Sequence, residues 1–254
     1  MHAIKELRKI CQEPRKKADT YHGRYFARIF SIYITYLFLM LGLSANAVTF
    51  ISLIIGLLAV IFFSLGTGYF IIWGIILLQF WYILDHVDGE IARYNKITSL
   101  AGEYFDRISH YIIHPIVFFG LGIGLYKIQK AQFYLILGSI SGLSILLIRV
   151  ITDLRDMVLL SEYRSLRVAY QKFPVKKSNN FLKKIFILIH GLCTYPTVMN
   201  IITLAVIVDL FIPYKAITFV LLFYSVFASI VWISRLMLFV NFRYIDTELA
   251  TTQK

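Results

Sequence analysis

Six long apolar stretches, each about as long as a bilayer is thick, set the terms on which this chain can fold. They run at about 46–66, 70–92, 101–126, 131–151, 196–213 and 216–240. A helix needs roughly 20 mostly apolar residues to cross a bilayer's hydrocarbon. In lipid every backbone polar group must be bonded internally, which for stretches of this length leaves the helix as the spanning form. At 59% hydrophobic and 16% charged, the chain is greasier than a soluble domain, which is about half apolar and a quarter charged. The expected fold is all-α and integral to the membrane, with six transmembrane helices.

A further apolar run, Ile29 to Leu43, is short for a span and follows Arg15, Lys16, Lys17, Arg24 and Arg28. Charge decides its place. With six spans, both termini share one side with residues 93–100 and 149–195. That side then holds 22 Lys and Arg, against Lys127, Lys130 and Lys215 on the other. Cytoplasmic segments carry such an excess, so both termini are expected in the cytoplasm, beneath the inner (cell) membrane. A seventh span at 29–43 would carry the N-terminal basic residues outward. The segment is therefore expected as an amphipathic helix on the cytoplasmic surface. The chain divides into a basic arm and juxtamembrane helix at 1–45, a six-helix domain at 46–240 with a cytoplasmic loop at 152–195, and a cytoplasmic tail at 241–254.

The formal net charge of +12 follows from that topology and from attraction to anionic headgroups. No soluble domain presents a basic face, so nucleic acid is not an expected partner. Cys11 and Cys193 fall on the cytoplasmic side and are expected to be reduced. The first 28 residues are polar and show no short apolar core before a small-residue cleavage site, so no cleaved leader is expected. Ser44 or Asn46 is placed to cap the first span, and Gly66-Thr67-Gly68 to turn the chain on the outer side. After the fourth span, Asp153, Arg155, Asp156, Glu162, Arg164 and Arg167 suggest a helix running into the cytoplasm, broken at Pro174. Phe181 to Ile189 reads as a second interfacial helix, and the Lys172–Lys184 cluster as lipid-surface contact.

Into this apolar background falls Asp85-His86-Val87-Asp88-Gly89-Glu90-Ile91-Ala92-Arg93, followed by Gly102, Glu103, Asp106 and His110. Charges near a bilayer core cost several kcal/mol, so the cluster needs a purpose. On a helix, Asp85 and Asp88 are i,i+3 neighbours, and Gly102, Asp106 and His110 stand four apart on one face of the next helix. A short connection brings those faces together: three carboxylates and an imidazole near the cytoplasmic boundary. Such a set repels itself unless a cation joins it, and oxygen donors suit Mg²⁺, Mn²⁺ or Ca²⁺. With Arg93 beside it, the cation is suited to a pyrophosphate. Gly89, Ala92 and Gly102 leave room for a base or ribose against the backbone.

These residues resemble the signature of the CDP-alcohol phosphatidyltransferases, Asp-x2-Asp-Gly-x2-Ala-Arg-x8-Gly-x3-Asp-x3-Asp. Here it reads Asp85-x2-Asp88-Gly89-x2-Ala92-Arg93-x8-Gly102-x3-Asp106-x3-His110, eight of nine fixed positions at the right spacing. Leu43-Ser44-Ala45-Asn46-Ala47-Val48-Thr49 is similar to the family's Leu-Thr-Pro-Asn-x-x-Thr element, with Ala45 for proline. Together the resemblance covers roughly residues 24 to 240. It implies that Asp85, Asp88 and Asp106 bind divalent metal (Mg²⁺ or Mn²⁺), that Asp88, Gly89, Ala92, Arg93 and Gly102 surround the CDP moiety, and that His110 stands where the family keeps its general base. It also implies transfer of a substituted phosphate from a CDP-linked donor to an alcohol with release of CMP, in phospholipid biosynthesis, by a homodimer.

Position 110 leaves three readings open. Imidazole is a good base near neutral pH, but a poorer ligand than carboxylate for hard Mg²⁺. The chain is then a histidine-based enzyme, an enzyme of altered metal preference, or an inactive relative. The donor is expected to be CDP-diacylglycerol with a polar alcohol as acceptor. The alternative is a CDP-linked headgroup or polyol with a lipid alcohol as acceptor. An ion-conducting protein fits less well, because the acids sit at one depth near one surface. Among the remaining polar residues, Asp209 reads as a packing hydrogen bond, His114 as a buried core histidine or, one turn deeper than His110 on the same face, as a member of a relay, His86 and Glu90 as supporting groups, and Glu103 as facing the loop or the headgroups. Arg149 reads either as a receiver of an anionic group on the acceptor or as a topological anchor.

Overall fold

Helix ends in this chain are set by short polar residues and by left-handed turns between long apolar runs. The computed structural model describes residues 4–15, 22–97, 99–165, 189 and 191–241. Among these there is no strand. The elements are α1 (Ile4–Cys11), a 3₁₀ turn (Glu13–Arg15), a π-helical turn (Gly23–Ala27), α2 (Arg28–Met40), α3 (Ala45–Leu65), α4 (Gly68–Asn95), α5 (Leu100–Gln129), α6 (Phe133–Ser165), α7 (Tyr195–Asp209) and α8 (Lys215–Asn241).

Among the described residues, five stretches are long and apolar enough to cross a membrane: Ala45–Leu65, Gly68–Asn95, Leu100–Gln129, Phe133–Val158 and Lys215–Val240. They coincide with five of the six spans expected from the sequence. The sixth differs. α7 has 15 residues, about 22 Å at 1.5 Å per residue, where the sequence suggested a run to residue 213. The chain leaves the helix early because Asp209 is committed to the next one. Its two carboxylate oxygens accept the backbone N–H groups of Ala216 and Ile217 at 2.7 and 3.1 Å, and Tyr214 turns at φ 65° just before α8 begins. The residue expected to make a packing hydrogen bond makes two, as a helix cap.

Packing runs in chain order at the core: α3 lies against α4 and α5, α5 against α6, and α6 against α8. Two of these contacts depend on glycine. A Cβ added at Gly124 would sit 2.2 Å from the Phe63 carbonyl oxygen, and one at Gly138 2.7 Å from that of Phe118. Small residues let backbones approach in this way where lipid leaves no hydrophobic drive for helix association. Polar pairs join α6 to α8, where Ser141 Oγ donates to the Leu221 carbonyl at 3.0 Å and Ser144 and Ser229 share a bond at 2.8 Å, and α4 to α7, where Gln79 Nε2 donates to Thr203 Oγ1 at 3.0 Å.

Ser44, and not Asn46, caps α3, its Oγ accepting from the Ala47 N–H at 3.2 Å. Ser99 caps α5 through the Gly102 N–H at 3.0 Å. Lys96 closes α4 in the left-handed region, so only residues 96–99 separate α4 from α5. α3 packs against both, and the acidic side chains of α4 meet those of α5 across the space between the two helices.

The N-terminal region is built inside out for a surface helix in water. α2 buries Arg28, Ser31, Ile32 and Thr35 and leaves Ile29, Phe30, Tyr33, Leu37 and Met40 exposed. Its 13 residues reach about 20 Å, well short of a ~30 Å hydrocarbon core. α1 packs on α2 and α4, burying Leu7 and Cys11 beside Ile32. α6 continues unbroken to Ser165, as the charge pattern beyond residue 152 suggested. The Lys172–Lys184 cluster and the interfacial helix expected at Phe181 to Ile189 lie outside the described residues, save Ile189.

Candidate active site

Helical spacing brings the expected residues to one place. Asp85 on α4 and Asp106 and His110 on α5 face each other across the helix pair. His110 Nε2 lies 2.9 Å from Asp85 Oδ1 and 3.4 Å from Asp106 Oδ1. One donor atom from each of the three falls within 4.8 Å of the others, the spacing a single cation spans. Asp106 is the most open of the three, with its side chain 41% exposed against 20% for Asp85 and 16% for His110. The site therefore opens at Asp106.

Asp88, one turn along α4, belongs to the same surface but is held differently. Its Oδ2 accepts from Thr49 Oγ1 at 2.7 Å, so the threonine of the Leu43–Thr49 element ties α3 to the acidic face. Asn46 from the same element reaches the other helix. A Cβ on Gly102 would meet Asn46 Oδ1 at 3.1 Å, so the glycine keeps α5 close to the start of α3. Gly89 has a comparable use, since a Cβ there would stand 3.0 Å from Arg93 Nη1. The guanidinium thus lies back over Gly89. Arg93 Nε donates to the Cys11 carbonyl at 2.6 Å, a partner that nothing in the local sequence announces.

Behind the acids stands an aromatic wall. His110 Nδ1 meets His114 Nε2 at 3.0 Å, and His114 stacks on Tyr195 with ring centroids 3.6 Å apart and planes 6° from parallel. Trp81 presents its edge to His110, His114 and Tyr195 at 5.4, 5.7 and 5.4 Å. The Nε2 contact to two carboxylates requires a proton on that nitrogen in the arrangement seen. His114 is buried, as expected, but it is also the neighbour that orients His110. Tyr195 and Trp81 were not singled out in the sequence; the only signal was that Tyr195 precedes the proline opening α7.

Of the supporting residues, His86 sits 3.9 Å from Asp85 Oδ2, its Nδ1 within 3.0 Å of the Tyr82 carbonyl. Glu103 is exposed and pairs with Arg107 at 2.8 Å. Arg149 is drawn to Asp153 at 3.2 Å, which also approaches Arg107 at 4.0 Å and accepts from the Tyr111 hydroxyl. Arg149 is thus part of a charge-balanced set beside the acids, on the α6 side.

Two carboxylate oxygens and an imidazole nitrogen at this spacing form a donor set that a divalent cation accepts, with the mixed oxygen and nitrogen chemistry that Mn²⁺ tolerates better than Mg²⁺. Asp88, one helical turn away, supplies a further carboxylate.

A helical bundle with this acidic pair of helices defines a class of membrane-embedded enzyme. In fold, the chain is similar to the crystal structure of Mycobacterium tuberculosis phosphatidylinositol phosphate synthase (PgsA1) with CDP-DAG bound: the TM-score is 0.58 at 17% identity, over 82% of this chain and 92% of that one. No curated protein matches the sequence. The profile of the CDP-alcohol phosphatidyltransferase family matches residues 42–239, and the chain belongs to that family. It is an integral membrane transferase of substituted phosphate groups, acting on a CDP-linked donor. The family uses divalent cations, and the Asp85–Asp106–His110 set is where this chain offers ligands.

Proposed function

We propose that this protein transfers a phosphatidyl group from CDP-diacylglycerol to a polar alcohol and releases CMP, at a site on α4 and α5 that faces the cytoplasm. The observation that carries this reading is the convergence of Asp85, Asp106 and His110 within 4.8 Å, at the end of α4 and α5 where basic residues gather. In this arrangement α7, lengthened by the apolar residues 210–213 that follow it, completes a set of six spans over residues 46–240. α2 lies in the cytoplasmic face of the inner membrane with its exposed apolar side in lipid, and residues 241–254 form a cytoplasmic tail. A second copy of the chain completes a homodimer.

Asp85, Asp88 and Asp106 hold Mg²⁺ or Mn²⁺. The cation supplies charge neutralisation at the phosphates of the donor. Asp88, Gly89, Ala92, Arg93 and Gly102 surround the CDP moiety. Gly89 gives the Arg93 guanidinium room to lie along the helix and Gly102 gives Asn46 room beside α5, and Arg93 pairs with a phosphate through its Nη edge. With Asp85 and Asp106 drawn to the cation, His110 Nε2 would be free of the proton it holds between them and would take the one from the acceptor hydroxyl as it attacks the phosphorus, and CMP leaves with the charge that Arg93 helps to hold. Asp85 and Asp106 on either side of Nε2 favour the imidazolium that results. His114 and Tyr195 keep the ring from turning away. Arg149, with Arg107 and Asp153 nearby, flanks the path of the acceptor.

The deciding experiment incubates purified protein with CDP-diacylglycerol or CDP-linked headgroups, a panel of alcohols, and Mg²⁺ or Mn²⁺, and follows CMP release. Turnover with CDP-diacylglycerol and a soluble alcohol is expected. Turnover only with a CDP-linked headgroup and a lipid alcohol would reverse which substrate carries the lipid. No release with any pair would mark an inactive relative.

A further inference from the structure

We propose that the N-terminal arm is a working part of the donor site: Glu90 clamps Gln12 onto the signature helix, and the clamped arm sets the Cys11 carbonyl on Arg93 and so fixes the guanidinium. This rests on the donor role given to Arg93 above.

Glu90 is an unused acid in the middle of the signature, and it is 1% exposed. A carboxylate that deep is costly unless its oxygens are saturated with donors. They are. Oε1 accepts from Gln12 Nε2 at 2.8 Å and from Ser31 Oγ at 2.7 Å, and Oε2 accepts from Thr35 Oγ1 at 2.6 Å. The donors come from two elements, α2 and the segment just after α1, and none is closer than 55 residues in sequence.

Gln12 is itself locked. Its Nε2 also donates to the Arg28 carbonyl at 2.9 Å, and Arg28 Nη1 donates to the Gln12 carbonyl at 2.7 Å. Residue 11 immediately precedes this lock, and its carbonyl is the one that accepts Arg93 Nε at 2.6 Å. Cys11 is fully buried and Leu7, one turn back, nearly so. The carbonyl is therefore delivered to Arg93 by a rigid neighbour.

An arginine on a helix surface has many rotamers, and a ligand that pairs with it must bear the cost of selecting one. Here the Nε–H is engaged by the arm, while Nη1 lies 3.0 Å from where a Cβ of Gly89 would be. The fork is thus oriented before any ligand arrives. A leucine at position 90 would pack as well against the arm but would not select Gln12, and a loosely seated arm would leave residue 11 out of register with Arg93. Glu90 and Gln12 are positioning residues; Arg93 is the one that meets the phosphate.

The test is a double-mutant cycle in the full-length protein, reading the affinity for CDP in the presence of Mn²⁺ by calorimetry. Gln12→Ala is expected to weaken CDP binding about tenfold, in the range seen when a group that orients a ligand-binding residue is removed. Arg93→Gln is expected to weaken it more, and Gln12→Ala is then expected to add nothing in the Arg93→Gln background. In Gln12→Ala the donor KM should rise and turnover at saturating donor should fall, because Arg93 also holds the charge of the leaving CMP, while the acceptor KM stays within about twofold of wild type. A purely structural clamp would lower the melting temperature without that split. Equal weakening in both backgrounds, or no weakening in wild type, overturns the proposal. Wild-type protein that binds no CDP at all contradicts the donor site itself, and this inference falls with it.

Discussion

Two sets of carboxylates ride on α4 and are treated in opposite ways. Glu90 faces α1 and α2, is almost wholly buried, and has donors from Gln12, Ser31 and Thr35 on its oxygens. Asp85 faces α5, is more open, and shares His110 with Asp106 at 2.9 and 3.4 Å. Only five residues separate the two in sequence, about 140° apart around the helix at 3.6 residues per turn. The first acid is answered by neutral donors and holds the protein together. The second is answered by another acid and a histidine, a combination that gathers charge without satisfying it within the protein. Asp88 stands between them in character, with one bond from Thr49 and the same face as Asp85.

That contrast makes separable predictions. The largest effect is expected on the Asp85 side. Asp106→Asn should lower CMP release at least about a hundredfold while the melting temperature in detergent stays close to wild type, because Asp106 is half open to solvent. A large drop in melting temperature would mean that these acids are structural too. Glu90→Ala should do the reverse and destabilise the fold by about 3 kcal/mol, since it strands three buried donors and unseats the arm; thermal unfolding in detergent measures it. An unchanged melting temperature would show that the arm contributes no stability through Glu90.

Thr49→Val tests the intermediate case. It keeps the shape and removes the Asp88 partner, and should weaken binding of CDP with Mn²⁺ about tenfold, with little change in melting temperature. The smallest effect concerns Cys11. Burial first, and then the charge of Glu90, push its thiol from 9.0 up to about 11, with Arg93 opposing. The folded state therefore favours the neutral thiol. Its contribution to stability is present below pH 9 and is lost as the pH rises toward 11. Maleimide at pH 7.5 should leave Cys11 unlabelled in wild type and label it in Glu90→Ala, as read by intact mass. Equal labelling in both would show that the arm opens regardless of Glu90.

The acidic side of this comparison was legible in the sequence because helical spacing alone decides which of Asp85, Asp88, Gly102, Asp106 and His110 share a face, and a four-residue connection leaves little freedom between the helices. The Glu90 side was not. Its partners lie 55 to 78 residues away, and no local pattern links Gln12 or Thr35 to the signature. α2 is a related case: the apolar run reads as a surface helix, but nothing local announces that Ser31 and Thr35 turn inward to Glu90 and leave the apolar side exposed. The end of α7 was misjudged because hydropathy continues to residue 212 while Asp209 already caps α8. His114 shows the limit of a residue-by-residue view. In the sequence it reads as a core histidine that, one turn from His110, could join a relay, and the choice between the two comes only with the 3.0 Å contact and the stacked Tyr195.

The place to press hardest is the position where this chain departs from the family signature. Single-turnover CMP release should be compared in wild type and His110→Ala, with CDP binding measured in parallel. With His110 as the base between Asp85 and Asp106, the variant should bind CDP within a few-fold of wild type and lose release by at least about a hundredfold. Release at the wild-type rate in His110→Ala would contradict that assignment.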